Sequence, residues 1–148
     1  MLKYVRREVD MIYAVIDTNV LVSSVLSNRD SPPMKVIRGI RDGIICPVFS
    51  TYLLREYRRV LSRKEFGIDA RMLYALLKLF DNDESMGVEL IDQGCSLPDM
   101  KDAPIFDIVE STREYNSYLV TGNIKHFPSE KYVITPKQMA DMLDDAGN

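Results

Sequence analysis

Residues 13–19 read Tyr-Ala-Val-Ile-Asp-Thr-Asn, and this stretch decides the fold. Tyr13-Ala-Val-Ile16 is a short apolar run rich in β-branched side chains, the pattern of a buried strand. Asp17 and Asn19 break the apolar character, and a second apolar stretch, 20–26, follows. Ser31-Pro-Pro33 is a breaker with capping character, so 34–41 reads as a helix with Val36, Ile37 and Ile40 inward. Asp42-Gly43 stops it. Residues 44–49 read as a second buried strand, in which Pro47 suits a strand end better than its middle. Ser50 or Thr51 caps a helix running to about residue 63, and Glu65-Phe66-Gly67 closes that region. Asp69 caps a helix to residue 79. A third strand is expected at 88–91 and a loop at 95–99. Asp102 opens another helix, with Pro104 in its first turn, where a missing N–H costs little. Strands at 118–120 and 132–134 and a terminal helix from Thr135-Pro136 to about residue 143 complete the chain. Strands alternate with helices throughout. That order implies an α/β fold whose mostly parallel sheet of about five strands is covered on both faces.

The chain has 148 residues, of which 46% are apolar and 28% charged. These are globular proportions, which exclude disorder, collagen-like repeats and coiled coil. No apolar run reaches about 18 residues, so a membrane span is excluded. The best apolar window, 11–26, carries Asp17, which also argues against a secretory signal. Two cysteines, Cys46 and Cys95, make neither a disulfide framework nor a zinc site. A reduced, cytoplasmic setting is the simplest reading. One domain over 11–148, preceded by an N-terminal extension of residues 1–10, suits the length. Either Met11 is the native start or the extension is a docking arm; the intact mass of protein made from its own locus separates the two.

The net charge of -3 does not advertise a polyanion binder, yet the charges are segregated. Residues 35–64 hold eight Lys or Arg against two acids, whereas residues 81–110 hold nine acids against Lys101. Such segregation marks either solvated helix faces or a face for a polyanion beside an acidic pocket for metal.

In a parallel sheet the ligand crevice lies beyond the carboxyl ends of the strands. Strand one ends at Asp17, the loop after strand three leads to Asp99 and Asp102, and strand four ends in Thr121-Gly122-Asn123. All belong at one edge. Glu56 lies at the margin of the inward stripe Leu53, Leu54, Tyr57, Val60 and Leu61. It either faces this edge or pairs at the helix surface with Arg59 or Arg63. Asp17 and Asp102 each have a second reading as helix caps, Asn123 as a turn residue, and His126 as a surface or packed histidine. Asp107 lies one and a half turns beyond Asp102 and points away from it.

Convergence of Asp17, Glu56 and Asp102 would be repulsive. Two unit charges about 4 Å apart cost ~4 kcal/mol at an effective dielectric near 20. A shared proton or a hard cation relieves this, and oxygen-only ligands suit Mg²⁺ or Mn²⁺ rather than zinc. A cation held by few carboxylates waits for phosphate oxygens, the setting for metal-assisted phosphodiester hydrolysis.

Taken in order, four motifs resemble the PIN-domain family of nucleases. They are Val15-Ile-Asp17-Thr-Asn19-Val-Leu21; Tyr52-Leu-Leu-Arg55-Glu56-Tyr57 with Val60-Leu61 and Phe66; Asp99-Met-Lys-Asp102-Ala-Pro-Ile-Phe106-Asp107; and Tyr118-Leu-Val-Thr121-Gly122-Asn123-Ile-Lys125-His126-Phe127. The resemblance runs from Met11 to Leu143 and is strongest to bacterial and archaeal members described as toxins of toxin–antitoxin pairs. It implies a three-layer α/β/α fold, a Mg²⁺ or Mn²⁺ site and cleavage of single-stranded RNA. It also implies an antitoxin protein as partner and a homodimer. It carries over Asp17, Glu56 and Asp102 as the acidic core and Thr121 as a helper. Asn123 stands where many relatives have a fourth Asp, which keeps an oxygen ligand but removes a charge and bears on whether one metal or two is held. The stretch between Asp102 and Asn123 is longer than the family pattern, so Asp99 and Asp107 are fallbacks for the third acid. RNA backbone contacts are expected from Arg55, Arg59, Lys125 and His126.

Two other functions compete. A non-catalytic RNA-binding module is made plausible by Asn123. A haloacid-dehalogenase-like phosphatase could use Asp17 as nucleophile, but that family wants a second Asp two residues on, where this chain has Asn19.

Overall fold

Ala14, Val15 and Ile16 are completely buried, because they belong to the middle strand of a five-stranded parallel sheet. This computed structural model describes residues 11–89 and 103–146. Expectations for residues 1–10, Ile91, Cys95, Asp99 and Asp102 lie outside the described residues.

Strand β1 (Ile12–Ile16) leads through helices α1 (Thr18–Leu26) and α2 (Pro32–Arg41) to β2 (Ile45–Phe49). Helices α3 (Thr51–Leu61) and α4 (Ala70–Phe80) lead on to β3 (Met86–Gly87). After α5 (Ala103–Ser111) come β4 (Tyr118–Val120), β5 (Val133–Ile134) and α6 (Pro136–Ala146). The order across the sheet is β3-β2-β1-β4-β5, with every pair parallel. Helix α2 packs on α1 and α6, whereas α5 packs on β1, β2 and β4. The result is a three-layer α/β/α sandwich.

Local chemistry sets the helix starts. Ser31, Ser50 and Asp69 each accept a hydrogen bond from the backbone N–H three residues on, at Met34, Leu53 and Met72. Two prolines follow Ser31, where their missing N–H groups would have been unpaired in any case. The inward stripes form as the spacing predicts: Val36, Ile37 and Ile40 are buried on α2, and Leu53, Tyr57, Val60 and Leu61 on α3. Residues 20–26, apolar but unassigned by spacing, are the body of α1.

Two expectations need correction. The third strand is Met86–Gly87, earlier than 88–91, although Val88 N–H still donates to Phe49 O at 2.8 Å. The Gly87 backbone lies so close to the Phe49 ring that an added Cβ would meet it at 3.0 Å. The absence of a side chain at Gly87 therefore lets the edge strand pack against Phe49. Pro47 sits in the middle of β2, opposite Ala14. Backbone groups alternate sides along a strand. Pro47 shares its side with Phe49, whose carbonyl faces β3, and β3 begins only opposite Val48. The missing N–H therefore removes no bond to β1.

The order of the strands fixes where a ligand crevice opens. The chain steps outward from β1 to β2 and β3, then returns to place β4 on the other side of β1. That reversal lies between β1 and β4, and a crevice opens beyond their carboxyl ends.

Leu61→Ala, at a fully buried position, is expected to lose about 2–5 kcal/mol in denaturant unfolding. Leu26→Ala, 59% exposed in the native protein, is expected to stay within about 0.5 kcal/mol of wild type. Equal losses would contradict this packing.

Candidate active site

Strand β1 delivers Asp17 to the crevice, and β4 delivers Thr121. Asp17 occupies the N-cap position of α1, yet its side chain makes no capping bond. Its Oδ2 instead accepts the Thr121 hydroxyl at 2.7 Å and the Asn19 side-chain amide at 3.1 Å. The helix-cap reading of Asp17 is thereby set aside. Both of these donors are neutral, and they fix the orientation of the carboxylate. Asp17 is 6% exposed and Thr121 is completely buried, so the bond between them is screened little by water.

A second tie runs parallel to the first. Asn19 Oδ1 accepts the Gly122 N–H at 3.3 Å, and Thr121 Oγ1 accepts the Asn123 N–H at 2.9 Å. Asp17 N–H donates to Val120 O at 2.9 Å, continuing the sheet to its end. The first turn of α1 and the loop after β4 are thus laced together by Asp17, Asn19 and Thr121. Thr121 is the hinge of this network, donor to one chain segment and acceptor from the next.

Asn123 opens the 3-10 turn Ile124–His126, so its turn role is realised, and its side chain is exposed at the rim. Lys125 and His126 follow it and are exposed. Arg55 and Arg59 are exposed on α3. Asp107 is half-buried on α5.

Glu56 is half-buried, and its carboxylate is gripped by Arg59 through Nη2 at 2.7 Å and Nε at 3.3 Å. Of the two outcomes open from the sequence, the structure shows the surface pairing. The hydrogen bonds that Arg59 donates to Glu56, and then the Glu56 charge, hold the Arg59 guanidinium pKa above its usual value. Helix α3 is nevertheless tied to the crevice by the next residue. The Tyr57 hydroxyl donates to Ile16 O at 2.5 Å, one residue before Asp17.

Asn19 and Tyr57 complete the network without having been singled out as site residues. A tyrosine among aliphatic neighbours on an inward stripe was the available signal, because a buried phenol needs a partner. Asn19 gave no such signal, since its amide bridges segments about a hundred residues apart.

The donor chemistry suits a hard divalent cation. Oxygen is the donor atom of Asp17, Thr121, Asn19 and Asn123, and the buried Thr18 Oγ1 beside Asp17 has no hydrogen-bond partner among the described residues. Cys46 is remote in chemistry: its thiol donates to Glu84 O at 3.3 Å, and burial pushes its pKa up to about 11. Among the described residues no three His, Cys, Asp or Glu side chains gather as a metal-binding group; Asp102 is outside them. Nor is any helix among them long and apolar enough to cross a membrane.

A parallel sheet with a buried strand-end carboxylate at its switch point defines the class as an α/β fold with its ligand crevice beyond the strand ends. The family model of the PIN domain matches residues 13–125, and the chain belongs to the PIN domain family, a nuclease-type fold. No curated protein and no solved structure matches the chain.

Thr121→Val keeps the shape but strips Asp17 and the Asn123 N–H of one bond each. Urea unfolding is expected to show a loss of about 1–3 kcal/mol, with Thr121→Ser recovering most of it. Full stability in Thr121→Val would mean the network is not holding the crevice.

Proposed function

We propose that the chain is a divalent-metal-dependent endoribonuclease that hydrolyses phosphodiester bonds in single-stranded RNA. The observation that supports it most is the buried Asp17 carboxylate, which makes no cap bond to its own helix and is bonded by Thr121 and Asn19 at the switch-point crevice. In this reading Asp17, Glu56 and Asp102 hold Mg²⁺ or Mn²⁺. The ion, when bound, lowers the pKa of water and steadies charge on the leaving oxygen.

The chain's own residues do the rest. Thr121 and Asn19 keep Asp17 in one orientation, so no reorganisation is needed when substrate arrives. Asn123, exposed at the rim, offers a side-chain oxygen and amide to position the attacking water. Glu56 takes its role by exchanging Arg59 for the cation. Arg59, once released, joins Arg55, Lys125 and His126 in holding the phosphate backbone, an attraction that weakens with salt and is largely blind to sequence. One domain over 11–148 carries the activity, with residues 1–10 as an extension. The biological role proposed is that of a cytoplasmic toxin, a homodimer restrained by an antitoxin protein.

The Glu56 to Arg59 ion pair favours a second reading, a non-catalytic RNA-binding module in which α3 is a purely basic face. Metal dependence separates the two. Millimolar Mn²⁺ is expected to support cleavage of a single-stranded RNA by wild type and not by Asp17→Asn. The same ion is expected to raise the wild-type melting temperature, by about 2.7 kcal/mol of stabilisation at a hundredfold excess over Kd, and to leave Asp17→Asn unmoved. Cleavage that survives in Asp17→Asn, or an equal thermal shift in both, would contradict the proposal.

A further inference from the structure

Tyr57 stands one residue after Glu56, and its hydroxyl is bonded one residue before Asp17. One contact therefore joins the helix and the strand that carry the two candidate ligands. The contact has a specific structural cause. The paired register of β1 and β2 ends at Ala14 and Pro47, so the Ile16 carbonyl lies past the last ladder pair on that side. A buried carbonyl needs a donor, and the phenol stands where the N–H of a longer β2 would stand. The Tyr57 ring is itself fixed, completely buried with its centroid 4.9 Å from that of Phe80 at the end of α4. Burial, and after it the Asp17 charge, push the phenol well above its usual pKa.

We infer that Tyr57 is a positioning residue: its hydroxyl, bonded to Ile16 O, sets the spacing between the Asp17 backbone and the turn of α3 that carries Glu56. That spacing decides whether both carboxylates serve one divalent cation. The inference rests on the metal-site reading above and adds a residue that touches neither cation nor RNA. Its ring belongs to the core, but its hydroxyl acts on the site.

Mn²⁺ binding by titration calorimetry, well below the melting temperature, tests it on wild type, Tyr57→Phe and Phe80→Leu. Tyr57→Phe keeps the ring and loses only the hydroxyl. It is expected to bind Mn²⁺ 10–100-fold more weakly, the usual cost of removing a group that orients metal ligands. Phe80→Leu loosens the clamp on the ring but keeps the hydroxyl; it is expected to lower the metal-free melting temperature while holding affinity within about threefold of wild type. Wild-type affinity in Tyr57→Phe overturns the inference and leaves the metal site standing. Equal weakening in both variants also overturns it, since general loosening would then explain the effect. If wild type takes up no Mn²⁺ at all, the metal-site reading falls and this inference falls with it.

Discussion

A carboxylate buried at the end of the central strand must be solvated by the protein, and the Thr121 hydroxyl provides one such bond at 2.7 Å. The two residues are 104 positions apart. Their bond therefore requires that β1 and β4 be neighbours, in register, and of matching length. Ile16 opposite Val120 meets that requirement, with Asp17 and Thr121 next along each strand. The topology and the site are in this sense one constraint. The sheet order that returns the chain to the far side of β1 also brings a hydroxyl to Asp17, and the helix start at Thr18 leaves that carboxylate at the mouth of the crevice rather than in the sheet.

Much of this was legible in residues 13–19 alone. A short apolar run with β-branched side chains that ends in Asp reads as a buried strand with a polar end, and alternation of the later segments pointed to a parallel sheet. Caps at Ser50 and Asp69 and the buried stripe on α3 followed from local chemistry that needs no partner. What was not legible depended on distant contacts. The part Gly87 plays depends on the Phe49 ring that lies against it. Pro47 reads as a blemish until β3 proves too short to ask for its N–H. The margin of an amphipathic helix is the hardest place to read. Glu56 has Arg59 three residues on, and periodicity at the margin does not choose between that pair and the crevice.

The Glu56 pair gives the site a particular electrostatic logic. Arg59 and Glu56 neutralise each other on the exposed side of α3, where such pairs are worth little to stability. A partner of weak value is easily exchanged. In the proposed reading, a divalent cation at Asp17 would compete with Arg59 for Glu56, and RNA phosphates would compete with Glu56 for Arg59. Cation and RNA backbone each favour the same rearrangement, so their binding is expected to be reciprocal. The PIN domain family supplies the nuclease-type framework for that arrangement. Asn19, Thr121 and Tyr57 are the residues through which this chain braces it.

The most direct test of the account is an anomalous difference map from crystals soaked in Mn²⁺. The account predicts a peak at the Asp17 carboxylate, with Glu56 drawn off Arg59 to join it. A map without a peak there, with Asp17 held as before by Thr121 and Asn19 and Glu56 still on Arg59, would contradict it.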